Sequence, residues 1–495
     1  MQKQYLKIAP PDNVAVAIAP LGKGTVIEVE GVSIEMKDDI PAGHKFLLQP
    51  LGKGENIVKY GYPIGHTTIA LEAGKRVDDS NLRTNLSGLS EYEYHPIKYE
   101  SPHPTDKYYF EGFRRKNGDT GIRNEVWIIP LVGCVNGIAQ QLARTTYAEK
   151  PEAVSDVVAF PHNYGCSQLG DDHENTRLIL RDMALHPNAA GVLLVGLGCE
   201  NNSMEAFIEL LGNYDTERIK YMVCQKTDDE IATGQELLRQ IFEAASNDKR
   251  EKTPLSELKI GLKCGGSDGF SGITANPLLG LFSDKLIACG GSTVLTEVPE
   301  MFGAETILMN RCRNRSVFEK TVALVNNFKS YFIANNQPVY ENPSPGNKEG
   351  GISTLEEKSL GCTQKSGTSP VEDVLEYGGC LAKQGLSLLN APGNDLVAST
   401  ALAAAGCQMV LFTTGRGTPF GTFVPTLKLS TNSPLYNAKP HWIDFDAGTL
   451  LHSETMDEAC ERLLLTIIET ANGQPANNEK AGYKEIAIFK TGVTL

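Results

Sequence analysis

The sequence predicts an α/β protein in which a small N-terminal β-rich domain precedes two α/β regions with mostly parallel sheets. Three observations predict this fold. Residues 1–95 hold short apolar runs between glycine and proline turns, a pattern typical of β-strands. From residue 121 onward, short apolar runs alternate with longer amphipathic segments, which indicates parallel sheets covered by helices. A charged stretch around residues 248–257 separates two regions of this kind.

The N-terminal domain is predicted to end near residue 95. Its expected strands are residues 14–18, 25–29 and 45–48. The following stretch is rich in tyrosine, histidine and proline, which favours a semi-rigid linker. We therefore predict an N-terminal domain at 1–95, a linker at 96–120, a central α/β domain at 121–255 and a C-terminal α/β domain at 256–495. We expect no internal repeat.

The central region is predicted to contain four strands, each followed by a helix. The strands are residues 126–131, 157–160, 192–195 and 221–223, and the helices lie near 138–147, 172–185, 204–211 and 228–245. In the C-terminal region we expect strands at 259–262, 409–412 and 485–489, and helices at 397–405 and 456–471. A polar, glycine-rich stretch at 342–370 interrupts this region, and loops of that length are usually functional lids or disordered segments.

Charge and hydropathy exclude several classes of partner. The chain has 495 residues with 46 Lys and Arg, 60 Asp and Glu, and a net charge of -14. It lacks the basic footprint that binding to nucleic acid or to an anionic membrane surface requires. Its apolar runs are far shorter than a membrane-spanning helix, and the start has no apolar signal-peptide core. We therefore expect a cytoplasmic homo-oligomer that acts on a small molecule, with no disulfide framework among its 11 cysteines.

Four predicted strands are followed by glycine-flanked cysteines, which are Cys134, Cys166, Cys199 and Cys264. Ligands in open parallel sheets bind beyond the carboxyl ends of the strands. A single cysteine in such a place is more often a small core residue. For the group, however, adjacent glycines allow close approach of a ligand, and thiolates are soft ligands suited to iron. Because tight CxxC pairs are absent, a structural zinc site is not expected.

Two of the nine histidines are candidates for chemistry. His162 lies four residues before Cys166, and His44 lies in a Gly-His-Lys turn of the N-terminal domain. A histidine in a turn is as often solvated or capping as it is a ligand. We prefer that structural interpretation for the remaining turn histidines, His66, His95, His103 and His186.

Three further loops offer groups that could bind a carboxylate. The glycine-rich loop at 266–272 contains Ser267 and Asp268, and its backbone N–H groups could cradle an anion. Asn394 and Asp395 precede a predicted helix, so either could simply be a helix cap. Arg416 lies in a strand-end glycine loop and suits bidentate carboxylate binding. The dinucleotide, P-loop and HExxH motifs are absent, which disfavours nucleotide and zinc-protease chemistry.

At these loops the sequence resembles the galactarate/altronate dehydratase family. The resemblance is carried by residues 163–173, 197–202, 264–277, 295–305, 342–362 and 413–419. It implies an N-terminal SAF domain of the β-clip type, and it implies loss of water from a sugar acid. The expected reaction converts D-altronate to 2-dehydro-3-deoxy-D-gluconate in hexuronate breakdown. The resemblance also implies a need for Fe²⁺, for which Mn²⁺ can substitute.

The dehydration chemistry suggests a role for each candidate. Removing the proton next to a carboxylate creates an enediolate-like anion, which a divalent metal stabilises. We predict that Cys134, His162, Cys166 and Cys199 bind the metal, with His44 as an alternative ligand. Lys365 and His44 are predicted to be the acid and base. The residues predicted to hold the substrate are Ser267, Asp268, Asn394, Asp395 and Arg416.

Three alternatives stay open at this point. The substrate could be galactarate or another aldarate. The iron could form a [4Fe–4S] cluster on three of the strand-end cysteines. The chain could also be a non-catalytic sugar-acid sensor that binds its ligand through the SAF domain.

Overall fold

A computed structural model describes residues 4–99, 108–492, 494 and 495. His103 and the prolines at 102 and 104 of the predicted linker lie outside the described residues, as does the very start of the chain. The described residues form the predicted β-rich domain followed by two α/β regions with parallel sheets. Among these residues, no helix has both the length and the apolar character that crossing a bilayer requires.

The N-terminal domain is built from nine short antiparallel strands. Their bounds are β1 Tyr5–Leu6, β2 Val14–Ala17, β3 Val26–Val29, β4 Val32–Glu35, β5 Lys45–Leu47, β6 Asn56–Lys59, β7 Tyr62–Thr67, β8 Arg76–Val77 and β9 Leu82–Arg83. They form a four-stranded sheet in the order β1-β2-β5-β8, the hairpin β3-β4 and a three-stranded sheet β6-β7-β9. Short alternating runs separated by tight turns explain why this part of the chain forms strands rather than helices.

The expectation that the chain has no internal repeat is wrong for this domain. The pentapeptide at 20–24 is Pro-Leu-Gly-Lys-Gly, and the same five residues recur at 50–54. Each copy leads into a hairpin whose turn has two residues with positive φ, Glu30 and Gly31 in one and Tyr60 and Gly61 in the other. Turns of this type match the right-handed twist of the flanking strands. The copies lie in different sheets, and the second turn positions Tyr60.

The stretch predicted as a linker is partly strand. β10 (Tyr109–Arg114) and β11 (Thr120–Gly121) pair in an antiparallel sheet with β16 (Glu251–Pro254). The reason is local, because Phe110 is buried while its neighbours Tyr109 and Glu111 are exposed, which is the alternation of a half-buried strand. The small sheet ties the start of the central region to its end.

The central region is a four-stranded parallel sheet with helices on both faces. Its elements are β12 Glu125–Pro130, α1 Asn136–Thr146, β13 Val157–Ala159, α2 Gly170–Ala184, β14 Ala189–Gly196, α3 Met204–Leu211, β15 Ile219–Val223 and α4 Glu230–Ala245. The sheet order is β13-β12-β14-β15. All four predicted strand-helix pairs are confirmed.

The C-terminal region holds a seven-stranded parallel sheet in the order β19-β20-β18-β17-β21-β22-β23. Its strands are β17 Lys259–Cys264, β18 Ser292–Leu295, β19 Val371–Leu375, β20 Gly385–Leu389, β21 Met409–Thr414, β22 Thr426–Ser430 and β23 Phe445–Asp446. Its helices are α5 Ala275–Ala288, α6 Glu305–Met309, α7 Arg315–Ala334, α8 Pro345–Glu349, α9 Leu355–Thr363, α10 Asp395–Ala404, α11 Ser433–Ala438, α12 Met456–Ala471 and α13 Asn477–Lys480.

One hydrophobic core joins the central and C-terminal regions. Trp127 of β12 contacts Phe160 and Phe423 edge to face, with ring centroids 5.6 and 5.5 Å apart. All three rings are buried. Aromatic pairs in this arrangement contribute about 0.5–1.5 kcal/mol each beyond the area that they bury. The two parallel sheets are therefore fixed relative to one another.

Two predictions in the C-terminal region are wrong. The polar stretch at 342–370 is not a loop, because it contains α8 and α9, and every residue of α9 is buried. Residues 485–489 form no strand. Side-chain hydroxyls satisfy the backbone there, since Ala487 N–H donates to Thr400 and Phe489 N–H donates to Tyr377, so the segment packs without joining a sheet.

Candidate active site

The C-terminal sheet collects its polar side chains at one edge. β17 comes first in the chain yet lies between β18 and β21, so the chain winds away from it in both directions. Ligand sites in open parallel sheets form at such a reversal, beyond the carboxyl ends of the strands. Lys263 and Cys264 end β17, and Asp395 and Arg416 follow β20 and β21.

Glu297, just after β18, is the centre of this edge. Its carboxylate accepts hydrogen bonds from the Lys263 ammonium, from the Cys264 N–H at 3.0 Å and from the Lys365 ammonium at 2.8 Å. Glu297 is buried and has a φ of 69°, a left-handed conformation that few residues other than glycine adopt. Such strain costs about 1–3 kcal/mol and concentrates at functional sites.

Lys263 follows the apolar run Ile260–Leu262 of β17, and its side chain is fully buried. Its ammonium also donates to Asp395 Oδ1 at 2.9 Å. Burial by itself would lower the pKa of this lysine, but the charges of Glu297 and Asp395 outweigh it and hold the pKa well above its usual range. Lys263 therefore stays charged inside the protein.

Glu300 joins a second lysine to two thiols. Its carboxylate forms an ion pair with Lys358 at 2.8 Å and accepts from Cys264 Sγ at 3.2 Å and Cys362 Sγ at 3.1 Å. Burial opposes ionisation of this carboxyl, yet the charges of Lys358, Lys263 and Lys365 hold its pKa well below the usual range. Glu300 is therefore an anion in contact with both sulfurs.

The buried cluster is balanced in charge. Three lysines face three carboxylates, and every one of these side chains except Asp395 is at most 8% exposed. Removing one partner of a buried pair destabilises a fold by about 3–5 kcal/mol, because the other charge is left uncompensated. Asp395, at 37% exposed, is the member of the cluster that faces the open side of the site.

The two thiols and Glu300 are suited to hold a metal ion. Cys264 Sγ and Cys362 Sγ are 3.4 Å apart. Among the described residues, these three form the one group of three or more candidate ligands whose atoms all lie within 4.8 Å of one another. Contact with Cys264, together with burial, raises the pKa of Cys362 well above its usual value. The donor set of two sulfurs and one oxygen fits a divalent transition metal such as iron.

The glycine-rich loop after β17 lies beside this cluster. Ser267 is buried, and its hydroxyl has no hydrogen-bond partner. Asp268 is already occupied, because it accepts from Thr431 at 2.9 Å and from the Phe270 N–H at 3.1 Å. A small cavity separates this loop from α9, lined in part by Tyr60, Lys358 and Cys362 together with the loop. Ser267 is thus available to a ligand, whereas Asp268 shapes the loop.

The other predicted substrate-binding residues are placed differently. Asn394 caps α10, because its side-chain oxygen accepts from the N–H groups of Leu396 and Val397 at 3.1 Å. Arg416 is exposed and pairs with Glu349 of α8 at 2.9 Å. Asp395 belongs to the buried cluster through Lys263.

The two predicted acid-base residues lie on different elements. Lys365 follows α9, is buried, and is held by Glu297, and neighbouring anions keep its pKa well above the usual range. His44 is half-buried, with Nε2 3.1 Å from the Glu349 carbonyl oxygen and Nδ1 buried without a partner. Burial lowers the pKa of His44, so the ring is neutral near pH 7.

The N-terminal domain forms one wall of the site through a buried ion triad. Glu357 of α9 pairs with Lys45 and Lys59 of the N-terminal domain, each at 2.8 Å. Burial opposes ionisation of Glu357, but the two ammonium groups lower its pKa to about 2. α9 also carries Lys358 and Cys362, so the N-terminal domain holds the helix that supplies both.

The predicted metal ligands are not brought into this cluster. Cys134, Cys166 and Cys199 are exposed and follow β12, β13 and β14 of the central sheet. His162 is not available as a ligand in this conformation. Its Nε2 lies 2.7 Å from the Pro130 carbonyl oxygen, and its Nδ1 accepts from the Tyr164 N–H at 3.1 Å. Burial lowers the pKa of this histidine to about 4, in keeping with a neutral structural role.

Sequence reasoning missed most of the buried cluster. Cys264, Lys365 and Asp395 were candidates. The residues that were not are Lys263, Glu297, Glu300, Lys358 and Cys362. One signal was available, since Lys263 directly follows a buried apolar run in β17, and a lysine in such a place needs a buried partner. The partners themselves come from segments far apart in the sequence.

Three models of one protein family together match most of the chain. The model for the SAF domain of altronate/galactarate dehydratases matches residues 3–85. The model for the second domain of D-galactarate dehydratase/altronate hydrolase matches residues 112–246. The model for the C-terminal part of D-galactarate/altronate dehydratase matches residues 255–494.

Curated relatives align with this chain over nearly its full length. The chain is 59% identical over 496 residues to altronate dehydratase of Bacillus subtilis (strain 168), covering 100% of both chains. It is 57% identical over 494 residues to altronate dehydratase of Escherichia coli (strain K12), covering 99% of this chain and 100% of the relative. It is 32% identical over 509 residues to galactarate dehydratase (L-threo-forming) of Escherichia coli (strain K12), covering 98% and 96%.

Proposed function

Because the chain belongs to the D-galactarate/altronate dehydratase family, we propose that it is a hydro-lyase that converts D-altronate to 2-dehydro-3-deoxy-D-gluconate and water. This reaction is a step of hexuronate breakdown. One observation carries the substrate assignment. Identity is 59% and 57% to two altronate dehydratases over the full length, but 32% to a galactarate dehydratase.

The reaction requires three things of the protein. A base must remove the proton on C2, the resulting negative charge must be stabilised, and an acid must protonate the hydroxyl that leaves C3 as water. The enol that remains then gains a proton on C3 and becomes the 2-keto acid. The buried edge of the C-terminal sheet offers cations, thiols and carboxylates for these tasks within one continuous cluster.

Lys365 is the proposed acid. Its raised pKa keeps it protonated, and it is held at a fixed position by Glu297. His44 is the proposed base, since its lowered pKa leaves the ring neutral and its Nδ1 has no partner. Proton transfer by such groups typically contributes about 10²–10⁴-fold to a rate.

Ser267 and Arg416 are proposed to bind the sugar acid. Ser267 has a buried hydroxyl without a partner, and an alcohol of the substrate would satisfy it. Arg416 would exchange its exposed pair with Glu349 for the carboxylate of the substrate. Asp395, the partly exposed member of the buried cluster, would meet the substrate at the open side.

A divalent metal, Fe²⁺ with Mn²⁺ as a substitute, is proposed to bind to Cys264, Glu300 and Cys362. Bound there, it would supply Lewis-acid stabilisation of negative charge on the substrate. This ligand set replaces the predicted one because its donor atoms are close together and its sulfurs already contact an ionised carboxylate.

The proposal is tested by anaerobic assay of the purified chain on D-altronate, with and without added Fe²⁺ or Mn²⁺. We expect metal-dependent formation of a 2-keto-3-deoxy acid. Product from galactarate but not from D-altronate would contradict the substrate assignment and leave the reaction class intact. Binding of D-altronate without product under either metal would contradict the enzyme assignment and favour the sensor.

A further inference from the structure

Three exposed cysteines at the edge of the central sheet have no part in the proposed reaction. Cys134, Cys166 and Cys199 follow three neighbouring strands in the order β13-β12-β14, so Cys134 lies between the other two. Cysteine is among the most frequently buried residue types. Of the described cysteines, only Cys380 is otherwise exposed. Three exposed thiols on one sheet edge therefore indicate a site.

Backbone hydrogen bonds hold the three cysteine loops together. The Gly133 N–H donates to the Tyr164 carbonyl at 3.0 Å, which joins the first loop to the second. Asn202 bridges all three loops, since its backbone N–H donates to the Gly165 carbonyl at 3.1 Å and its side chain donates to the Leu131 carbonyl at 3.2 Å. Each cysteine is adjacent to, or within a few residues of, one of these contacts.

Glycines make this close packing possible. Gly165 has a φ of 97°, and a Cβ there would lie 2.0 Å from the Leu131 carbonyl oxygen. Gly198 has a φ of 128°, and a Cβ there would meet the Gln225 side chain at 2.9 Å. The residues directly before Cys166 and Cys199 are thus fixed by their neighbours, and the thiols are presented from rigid backbone.

Two helix N-termini at this edge favour negative charge. α1 begins two residues after Cys134, and α2 begins four residues after Cys166. The positive ends of these helix dipoles favour anions. The nearest glutamate in the third loop, Glu200, is buried and accepts from the N–H groups of Leu197 and Gly198.

Asn202 provides a second, independent sign of a ligand. It is 1% exposed, and its side-chain oxygen has no hydrogen-bond partner. Buried polar atoms are almost always paired. The Asn202 side-chain oxygen lies between the three cysteine loops without a donor. A ligand bound there, or a water molecule on that ligand, would supply the missing hydrogen bond.

The three thiols do not converge as closely as the ligands of a single metal ion do. Two thiolates on one tetrahedral ion, each about 2.3 Å from it, lie about 3.8 Å apart. At least one pair of the three edge thiols is farther apart than this, because the three do not form a group whose atoms all lie within 4.8 Å of one another. In an iron–sulfur cluster each cysteine binds a different iron, which accommodates a wider separation.

Two other candidate ligands near this edge are already packed or hydrogen-bonded. Cys224 follows the fourth strand, but its side chain packs against the hydrophobic cluster beneath the sheet. Both ring nitrogens of His162 are engaged with backbone groups. His173, in the first turn of α2, has a buried Nε2 without a partner. The exposed thiols that follow the strands at this edge are Cys134, Cys166 and Cys199.

We propose that Cys134, Cys166 and Cys199 hold a [4Fe–4S]²⁺ cluster whose fourth iron has no cysteine ligand and is open to an oxygen ligand such as water or a hydroxy acid. Loading from a preformed cluster is a ligand exchange. Three cysteine Sγ–Fe bonds form, three Fe–S bonds to small thiolates break, and each released thiolate takes the proton of the cysteine that replaces it. No electron is transferred.

The test uses the full-length apo chain under anaerobic conditions with a preformed [4Fe–4S]²⁺ cluster carrying 2-mercaptoethanolate ligands. After desalting, we expect about four irons and about four acid-labile sulfides per chain, with a brown absorption band. The triple variant Cys134→Ser, Cys166→Ser, Cys199→Ser should retain almost none. The matched control Cys380→Ser, which changes the remaining exposed cysteine, should load like the unmodified chain.

Three results would overturn the proposal. These are uptake of one metal ion without sulfide, equal sulfide in the triple variant and the unmodified chain, or equal loss of sulfide in Cys380→Ser. Because the serines replace exposed side chains, circular dichroism and thermal melting should be unchanged in the triple variant. If the triple variant is unfolded, the single variants decide, and each should lose at least half of the bound sulfide.

A separate measurement tests the open iron and keeps this proposal apart from the proposed function. The EPR spectrum of the one-electron-reduced cluster should shift when D-altronate is added, and an unchanged spectrum would contradict an open iron. Cys264→Ser should keep its sulfide while losing the Fe²⁺-dependent activity assigned to the buried cluster. A chain that loads the cluster but forms no product would contradict the proposed function alone.

Discussion

The two parallel sheets place cysteines at equivalent edges, but the surroundings differ sharply. In the C-terminal sheet, Cys264 is buried beside Glu300 and a network of lysines and carboxylates. In the central sheet, Cys134, Cys166 and Cys199 are exposed. The topology of a parallel sheet therefore places cysteines at its carboxyl edge. Burial and neighbouring charges then determine the chemistry that is open to those thiols.

The difference has a physical origin in what covers each edge. α9 and the N-terminal domain cover the C-terminal edge, and they bring Lys358 and the Lys45–Glu357–Lys59 triad. The edge of the central sheet has no comparable domain above its three thiols in the part of the chain that the structure describes. A covered edge can sustain strong electrostatics in a low dielectric, whereas an open edge leaves ligands accessible to an incoming group.

The largest effect should come from breaking the charge balance of the covered edge. In Lys263→Met, Glu297 and Asp395 lose their shared cation. We expect activity to fall below detection and the free energy of unfolding to drop by about 3–5 kcal/mol. Urea unfolding and the D-altronate assay measure both. Lys252→Met, which alters an exposed lysine of β16, is the control, and a similar loss there would contradict the assignment.

A smaller effect, confined to catalysis, is expected at His44. His44→Gln should lower kcat by about 10²–10⁴-fold with little change in thermal stability. Because His44 must be neutral to act as a base, activity of the unmodified chain should rise with pH through a pKa below the ordinary histidine value of about 6.5. The acidic limb of the pH profile should be absent from the residual activity of the variant. If His44→Gln keeps that limb, another group is the base.

The Lys45–Glu357–Lys59 triad, which joins the N-terminal domain to α9, predicts that stability depends on pH. The pKa of Glu357 is about 2 in the folded chain, against 4.5 as its ordinary value. Because the folded chain holds this pKa below its ordinary value, ionised Glu357 stabilises the folded state by about 3 kcal/mol at any pH above 4.5. This stabilisation is lost as the pH falls toward 2.

Urea unfolding between pH 6 and pH 3 should therefore show a loss of stability below pH 4.5 that is reduced in Glu357→Gln. Glu30→Gln, at an exposed pair with Lys7, provides the comparison and should follow the unmodified chain. Parallel curves for the unmodified chain and Glu357→Gln would show that the triad does not control acid stability.

The smallest change in stability is expected at Asn394, where two variants distinguish a helix-capping role from a role in substrate binding. Asn394→Ala removes the cap of α10 and should lower the free energy of unfolding by about 1 kcal/mol. Asn394→Ser restores a capping oxygen, so stability should recover, and KM should be unchanged in both variants. A rise in KM that serine does not reverse would place Asn394 in the substrate site.

The elements with strong periodicity could be predicted from the sequence. β12 and β14 are apolar runs, and helix α12 has a capping box formed by Thr455 and Glu458. The predictions were wrong where tertiary contacts override the local signal. α9 reads as a polar loop because its Glu357 and Lys358 are charged, yet both are buried by partners from distant segments.

The candidate site was predictable only in part, for the same reason. Cys264, Ser267 and Lys365 were identified because they follow strands or lie in a glycine-rich segment. Glu300 and Cys362 could not be paired with Cys264, since nothing local links positions that are 36 and 98 residues apart. His162 was overvalued because its neighbours in the sequence suggest a ligand, while its ring nitrogens contact backbone groups.

The ion triad at the domain joint also governs how the protein responds to dissolved salt. Mobile ions weaken attractions that they can surround, over a distance of about 8 Å at physiological ionic strength. They can reach an exposed pair such as Arg239–Glu149. They cannot reach Glu357 between Lys45 and Lys59, whose side chains are at most 1% exposed. The attachment of the N-terminal domain is therefore insulated from changes in the ionic strength around the molecule.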